Sequence, residues 1–211
     1  MRPWVRTPGE LAGADWVVLP GSKETRAGLE WLRAQGLDAG IARHTAAGGR
    51  MLGLCGGLQM LGGVSNDPDE VDGDAATAGT VPGLGLLPRQ PRFERARLLR
   101  RTRTCFGATA GAWAALDGVA FEGCEIHHGR TQLEAGTPGT CIALRNEAHE
   151  PIGRLLGNVL GLYVHGLFES PTVLRALLGR EPRTLDSVFD DLADFIDRHF
   201  EPGALTRLAP P

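Results

Sequence analysis

The sequence has no surplus of positive charge. Its 22 basic and 25 acidic residues leave a net charge of -3, which excludes the electrostatic footprint of a nucleic-acid or anionic-membrane binder. It also lacks any Cys-x-x-Cys pair: the four cysteines, Cys55, Cys105, Cys124 and Cys141, are dispersed, and no His/Cys cluster has structural-zinc spacing, so no metal site is expected. No charged and apolar leader opens the chain, and no apolar stretch is long enough to cross a bilayer. These absences point to a reduced, cytoplasmic setting and to small molecules or protein as partners.

At 211 residues one large domain can bury a sizeable core, and a single domain over 1–211 is expected. The first clear element is the apolar run from Asp15 to Leu19, stopped by Pro20-Gly21. A helix is predicted from Glu24 to Gln35, ending at Gly36. Ile41 to Ala47 reads as a further helical turn or two, and Met51 to Leu54 as the next strand. This strand–helix alternation predicts an α/β fold with a mostly parallel central sheet flanked by helices. The acidic stretch Ser65 to Thr80 reads as a solvated loop. Short extended runs at Phe93–Leu99, Val119–Ile126, Thr140–Leu144 and Asn158–Val164 predict additional, antiparallel strands. Two helices close the chain, one capped by Ser170-Pro171 and ending at Gly179, the other from Thr184 to Phe200 with an apolar stripe expected to be core.

Chemistry enters at Cys55, in the run Gly53-Leu54-Cys55-Gly56-Gly57-Leu58-Gln59. A thiol at a strand-to-helix turn projects where open α/β sheets bind ligands, and the small neighbours permit a strained backbone. Free N–H groups at the helix start favour the thiolate, which is the nucleophile. A buried structural cysteine is the plain alternative. A base is needed, and His165 closes the apolar run Leu162-Tyr163-Val164 just before Gly166. Gly21, after Pro20, offers a bare N–H that can converge with that of Gly56 on an oxyanion. An ordinary Pro-Gly turn remains open there.

These residues resemble the class I glutamine amidotransferases, a flavodoxin-like fold. More narrowly, Leu19-Pro20-Gly21-Ser22-Lys23, the Gly57–Gly62 run, Gly83–Pro88, Glu125-Ile126-His127-His128-Gly129 and His165-Gly166-Leu167-Phe168-Glu169 resemble the C-terminal glutaminase domain of cobyric acid synthases, which amidate corrin carboxylates in cobalamin biosynthesis. The resemblance implies that Cys55 attacks the side-chain amide of glutamine and His165 transfers protons. It also implies that Gly21 and Gly56 form the oxyanion hole and that Gln59 contacts the bound glutamine. No cofactor is implied for glutamine hydrolysis. ATP and magnesium, like the corrin substrate, go with a synthetase domain as partner.

Two departures accompany the resemblance. The triad carboxylate of the wider family would fall two residues after the histidine, where this chain has Leu167; Glu169 is the substitute candidate, and His127 a second candidate base. The chain also has no Gly-x-x-x-x-Gly-Lys-Ser/Thr phosphate loop and no apolar strand ahead of Met1-Arg2-Pro3-Trp4. A truncated start of a longer protein is therefore expected, with one interior strand missing from the sheet. The competing readings are a glutaminase subunit of the isoglutaminyl peptidoglycan type, an inactive remnant, and a cysteine hydrolase of another acyl substrate.

Overall fold

Apolar runs bounded by turn residues give strands and helices in the expected alternation through the first third of the chain. The computed structural model describes residues 4–67, 79–133, 139–180, 183, 185–201, 203 and 207, with the side chains of 64–67, 79–80, 89–97 and 127–133 outside the description. β1 (Trp16–Leu19) stops at Pro20-Gly21, and α1 (Thr25–Ala34) and α2 (Leu37–Ala46) follow. Between the helices Gly36 sits at φ +68°, a left-handed conformation that ends one helix and starts the next. α2 is longer than expected because Leu37 joins Ile41 on its buried face. β2 (Arg50–Leu54) runs into α3 (Gly56–Met60) through the single residue Cys55.

β3 (Val64–Asp67) and β4 (Gly79–Pro82) pair antiparallel, so the two ends of the stretch expected to be loop are strands; residues 68–78 lie outside the described set. β5 (Arg89–Phe106) and β6 (Ala120–Leu133) form an antiparallel ribbon far longer than the apolar runs within them. Its inward positions include Thr102 and Thr104, buried between exposed Arg101, Arg103 and Cys105. The period of two is present, but threonines carry it and hydropathy misses it. β7 (Thr140–Arg145) and β8 (Pro151–Leu156) pair antiparallel. β8 has no counterpart among the predicted strands, since Pro151, Gly153 and Arg154 interrupt its apolar pattern. β9 (Val159–Leu162) and β10 (Val164–His165) divide the last predicted strand at Tyr163. α4 (Pro171–Leu178) is capped by the Ser170 hydroxyl, which accepts from the Val173 N–H, and α5 (Leu185–His199) follows it.

The ten strands among the described residues belong to one sheet, ordered β1-β2-β9-β8-β7-β5-β3-β4, with β6 paired to β5 and β10. The parallel part is β1-β2-β9, joined by a single parallel bridge between β3 and β5, and the remaining pairs are antiparallel. The α/β class holds, with helices flanking the sheet. β2 and β9 are buried on both faces: Met51, Leu52 and every residue of β9 are shut from solvent. α3 packs over β1, β2 and β9. Trp113 fills the core near β1, with its ring edge-on to Trp16 at 5.0 Å and its indole N–H donating to the Asn158 carbonyl at 2.9 Å.

Two expectations are corrected. Among the described residues the sheet path is continuous: β2 takes β1 on one side and the late strand β9 on the other, so its backbone groups are paired on both edges, and β1 is an end strand. The apolar stripe of α5 is not core. Leu185, Val188, Phe189, Leu192, Phe195 and Phe200 are 43–56% exposed, because no strand or helix among the described residues packs extensively over them.

α3 lies so close to the end of β1 that a Cβ on Gly57 would overlap the Leu19 carbonyl. Gly57→Ala is therefore expected to cost about 2–3 kcal/mol by overpacking, read as a lower urea midpoint with an unchanged slope.

Candidate active site

Three strand ends meet at one place. β1 delivers Gly21, β2 delivers Cys55, and β9 continues through Tyr163 into His165 on β10. A methyl-sized point above Gly21 lies 3.4 Å from Cε1 of His165 and 3.6 Å from Cβ of Cys55. The three residues singled out from separate parts of the sequence are neighbours in space. A Cβ there would sit at van der Waals distance from both, so Gly21 borders the cysteine and the imidazole alike.

Cys55 has φ +50° and ψ −110°, one of three non-glycine residues with positive φ among those described. Such a backbone costs on the order of 1–3 kcal/mol and persists only where its surroundings hold it. Here the Cys55 N–H donates to the Leu162 carbonyl at 2.8 Å, tying the turn to β9, and its carbonyl accepts from the Gln59 N–H at 3.1 Å. Gly56 packs on the Ser22 backbone, where a Cβ would lie 2.6 Å from the Ser22 carbonyl oxygen. Such a strained residue between a strand and a helix is the backbone pattern of a nucleophile elbow.

The resting sulfur is a thiol. Burial pushes the Cys55 thiol up from its ordinary pKa, and the Gly56 N–H opposes this only in part. The expectation that the helix start would favour thiolate is corrected, since α3 has five residues and one N–H beside the sulfur does not offset desolvation. Sγ donates instead to the Ile126 carbonyl at 3.2 Å. That places β6, at Ile126 of the Glu125-Ile126-His127 block, directly against Cys55. Sequence reasoning marks the block but not its role, because a backbone acceptor has no sequence signature.

His165 is half-buried, and its Nε2 is enclosed without a hydrogen-bond partner. A buried ring nitrogen left without a partner calls for one, and a substrate proton beside Cys55 is a partner of the right kind. The position two residues on, Leu167, is 2% exposed and apolar. Glu169 lines the same cavity of about 460 Å³ as His165, with Arg101, Arg103, Glu122 and Cys124. No hydrogen bond joins Glu169 to the imidazole among the described residues. Gln59 is 5% exposed, and its carboxamide oxygen accepts from the Thr25 hydroxyl at 3.3 Å. His127 lies in β6, with its side chain outside the described residues.

A family profile for the CobB/CobQ-like glutamine amidotransferase domain matches residues 2–173. The chain belongs to this family. A cobyric acid synthase of Methylibium petroleiphilum is 58% identical over 205 residues, covering 97% of this chain and 40% of that protein. One of Leptothrix cholodnii is 57% identical over 209 residues, covering 99% of this chain and 41% of that protein. The chain thus spans about two-fifths of the length of these relatives. Among solved structures, a glutamine amidotransferase superposes with a TM-score of 0.59 at 19% identity over 83% of both chains. The PurLQS structure from Thermotoga maritima gives 0.55 at 15% identity, over 78% of this chain and 79% of that one. At these identities the structures show the fold, which is that of glutamine amidotransferases.

Because burial holds the thiol up, the pH midpoint for iodoacetamide alkylation of Cys55 in the folded amidotransferase domain should lie above that of the same thiol in the unfolded chain. Peptide mapping of both states across pH checks this; a lower midpoint in the folded state would contradict the account.

Proposed function

We propose that this domain hydrolyses glutamine at Cys55 and His165 and supplies the ammonia for ATP-dependent amidation of corrin carboxylates in a cobyric acid synthase. The observation that carries the reading is the meeting of Gly21, Cys55 and His165 at one point, in a chain whose relatives at 57–58% identity are cobyric acid synthases. His165 takes the thiol proton as Sγ attacks the amide carbon of glutamine. The resulting oxyanion is stabilised by the N–H groups of Gly21 and Gly56. Collapse of the intermediate breaks the C–N bond, and ammonia departs with the proton held by His165, leaving a glutamyl thioester. Water then gives a proton to His165 and attacks the thioester, releasing glutamate and restoring the thiol.

Gln59 serves as a glutamine contact, reached by turning its carboxamide away from Thr25. Cys55 begins above its ordinary pKa, so the proton transfer to His165 belongs to the substrate-bound site and not to the resting one. ATP and magnesium fall to the part of the relatives that this chain does not match, in keeping with the lack of a phosphate loop among its own residues. The reducing cytoplasm, where four free thiols persist, is the setting that fits.

Glutamate release from glutamine by the isolated chain tests the reading. Cys55→Ala and His165→Ala should each lower turnover by about a thousandfold or more, on the scale of removing a nucleophile or its base. Glu169→Gln should stay within about threefold of the parent, since its carboxylate holds no hydrogen bond to the imidazole. A folded chain that releases no glutamate would overturn the proposal, as would Cys55→Ala at parental turnover.

A further inference from the structure

One strand touches both members of the reacting pair. Residues 123–126 of β6 run past His165 and Cys55 in consecutive steps. Gly123 lies so near β10 that a Cβ there would overlap the His165 carbonyl. Cys124 is the cross-strand partner of His165, and Glu125 that of Val164. Ile126 then gives its carbonyl to the Cys55 thiol at 3.2 Å. A small slip of this segment along its axis moves the acceptor off the sulfur and the backbone off the histidine at once. What holds the segment in register therefore sets the geometry of the pair.

Glu125 is the anchor. It is 2% exposed, and its Oε2 accepts from Arg100 Nε at 2.9 Å and from Asn146 Nδ2 at 3.3 Å. Arg100 faces it across the β5–β6 ribbon and also pairs with Glu150 through Nη2. Asn146 Nδ2 donates to Glu150 as well, at 2.9 Å, and the Glu150 N–H returns a bond to Asn146 Oδ1 at 3.0 Å. The turn between β7 and β8 thus clamps β5 and β6 together from outside, with one carboxylate reaching inward. Burying a carboxylate is costly even when paired, and such pairs are better at fixing register than at adding stability.

We propose that Glu125, held by Arg100 and Asn146, is a positioning residue that keeps β6 in the register at which the Ile126 carbonyl meets Cys55 and the strand backs His165. This rests on the reading of Cys55 and His165 as the reacting pair. It also gives the Glu125-Ile126-His127 block a role. Glu125 lies on β6 between the cross-strand partner of His165 and the residue whose carbonyl receives the thiol, so its effect passes through the strand.

The test compares Glu125→Gln, Arg100→Ala and Arg100→Lys in the full chain, by glutamine kinetics and by the pH profile of Cys55 alkylation. Glu125→Gln and Arg100→Ala should keep a cooperative melt, lower kcat about tenfold or more with KM within about twofold, and move the alkylation midpoint down toward that of the unfolded chain. Arg100→Lys, which keeps the charge, should recover at least half of the loss on a logarithmic scale. A lowered melting temperature with parental kcat and a parental alkylation profile would overturn the proposal, as would a loss confined to KM. If Glu125→Gln does not fold, the partly exposed Arg100 variants decide the question alone. If the parent releases no glutamate, the alkylation profiles still decide whether Glu125 positions Cys55, separately from the function itself.

Discussion

The geometry of the site depends on a single left-handed residue. Cys55 joins β2 to α3 with no spacer, and its positive φ is what lets strand and helix meet at that angle. The turn survives because it is tied on several sides: its N–H bonds to β9, Gly56 and Gly57 lie flush against the end of β1 and the residues after it, and Ile126 receives the thiol. The glycine contacts depend on a close backbone approach that a larger residue would prevent. The strain and the reactive position are two aspects of the same local conformation.

Burial and reactivity oppose one another at the sulfur. The same packing that holds the turn removes water from the thiol and favours its neutral form. A five-residue helix with one N–H beside the sulfur does not reverse that balance. In the resting domain the proton therefore sits between sulfur and a carbonyl, while His165 keeps an enclosed and unsatisfied nitrogen. Both groups lack something that an amide substrate supplies: an electrophilic carbon for the sulfur and a hydrogen-bond partner for the ring. That no carboxylate among the described residues bonds the imidazole fits this arrangement, since buried Leu167 occupies its usual place.

Much of this is legible in the residues. Gly21, Cys55 and His165 stand out because strand ends, glycines and nucleophile types are local signals, and the strand–helix alternation points to the parallel core. What is not legible depends on distance or register. The Ile126 carbonyl carries no side-chain mark, and the Glu125–Arg100 pairing follows from the register of a ribbon whose inward threonines hide its period. A gap is expected inside the sheet, but the described strands form one continuous path in which β2 pairs with β1 and with β9, from more than a hundred residues later. The stripe on α5 has the periodicity of a core helix and nevertheless faces outward; periodicity identifies an apolar face but not what covers it.

The most direct test of the account is to catch the acyl group. The chain is mixed with glutamine, quenched in acid within a turnover, digested and analysed by mass spectrometry. A glutamyl adduct on the peptide carrying Cys55, absent from the Cys55→Ala protein, is the predicted result. Glutamate release with no adduct at Cys55, or with the adduct on Cys124 beside His165, would contradict it.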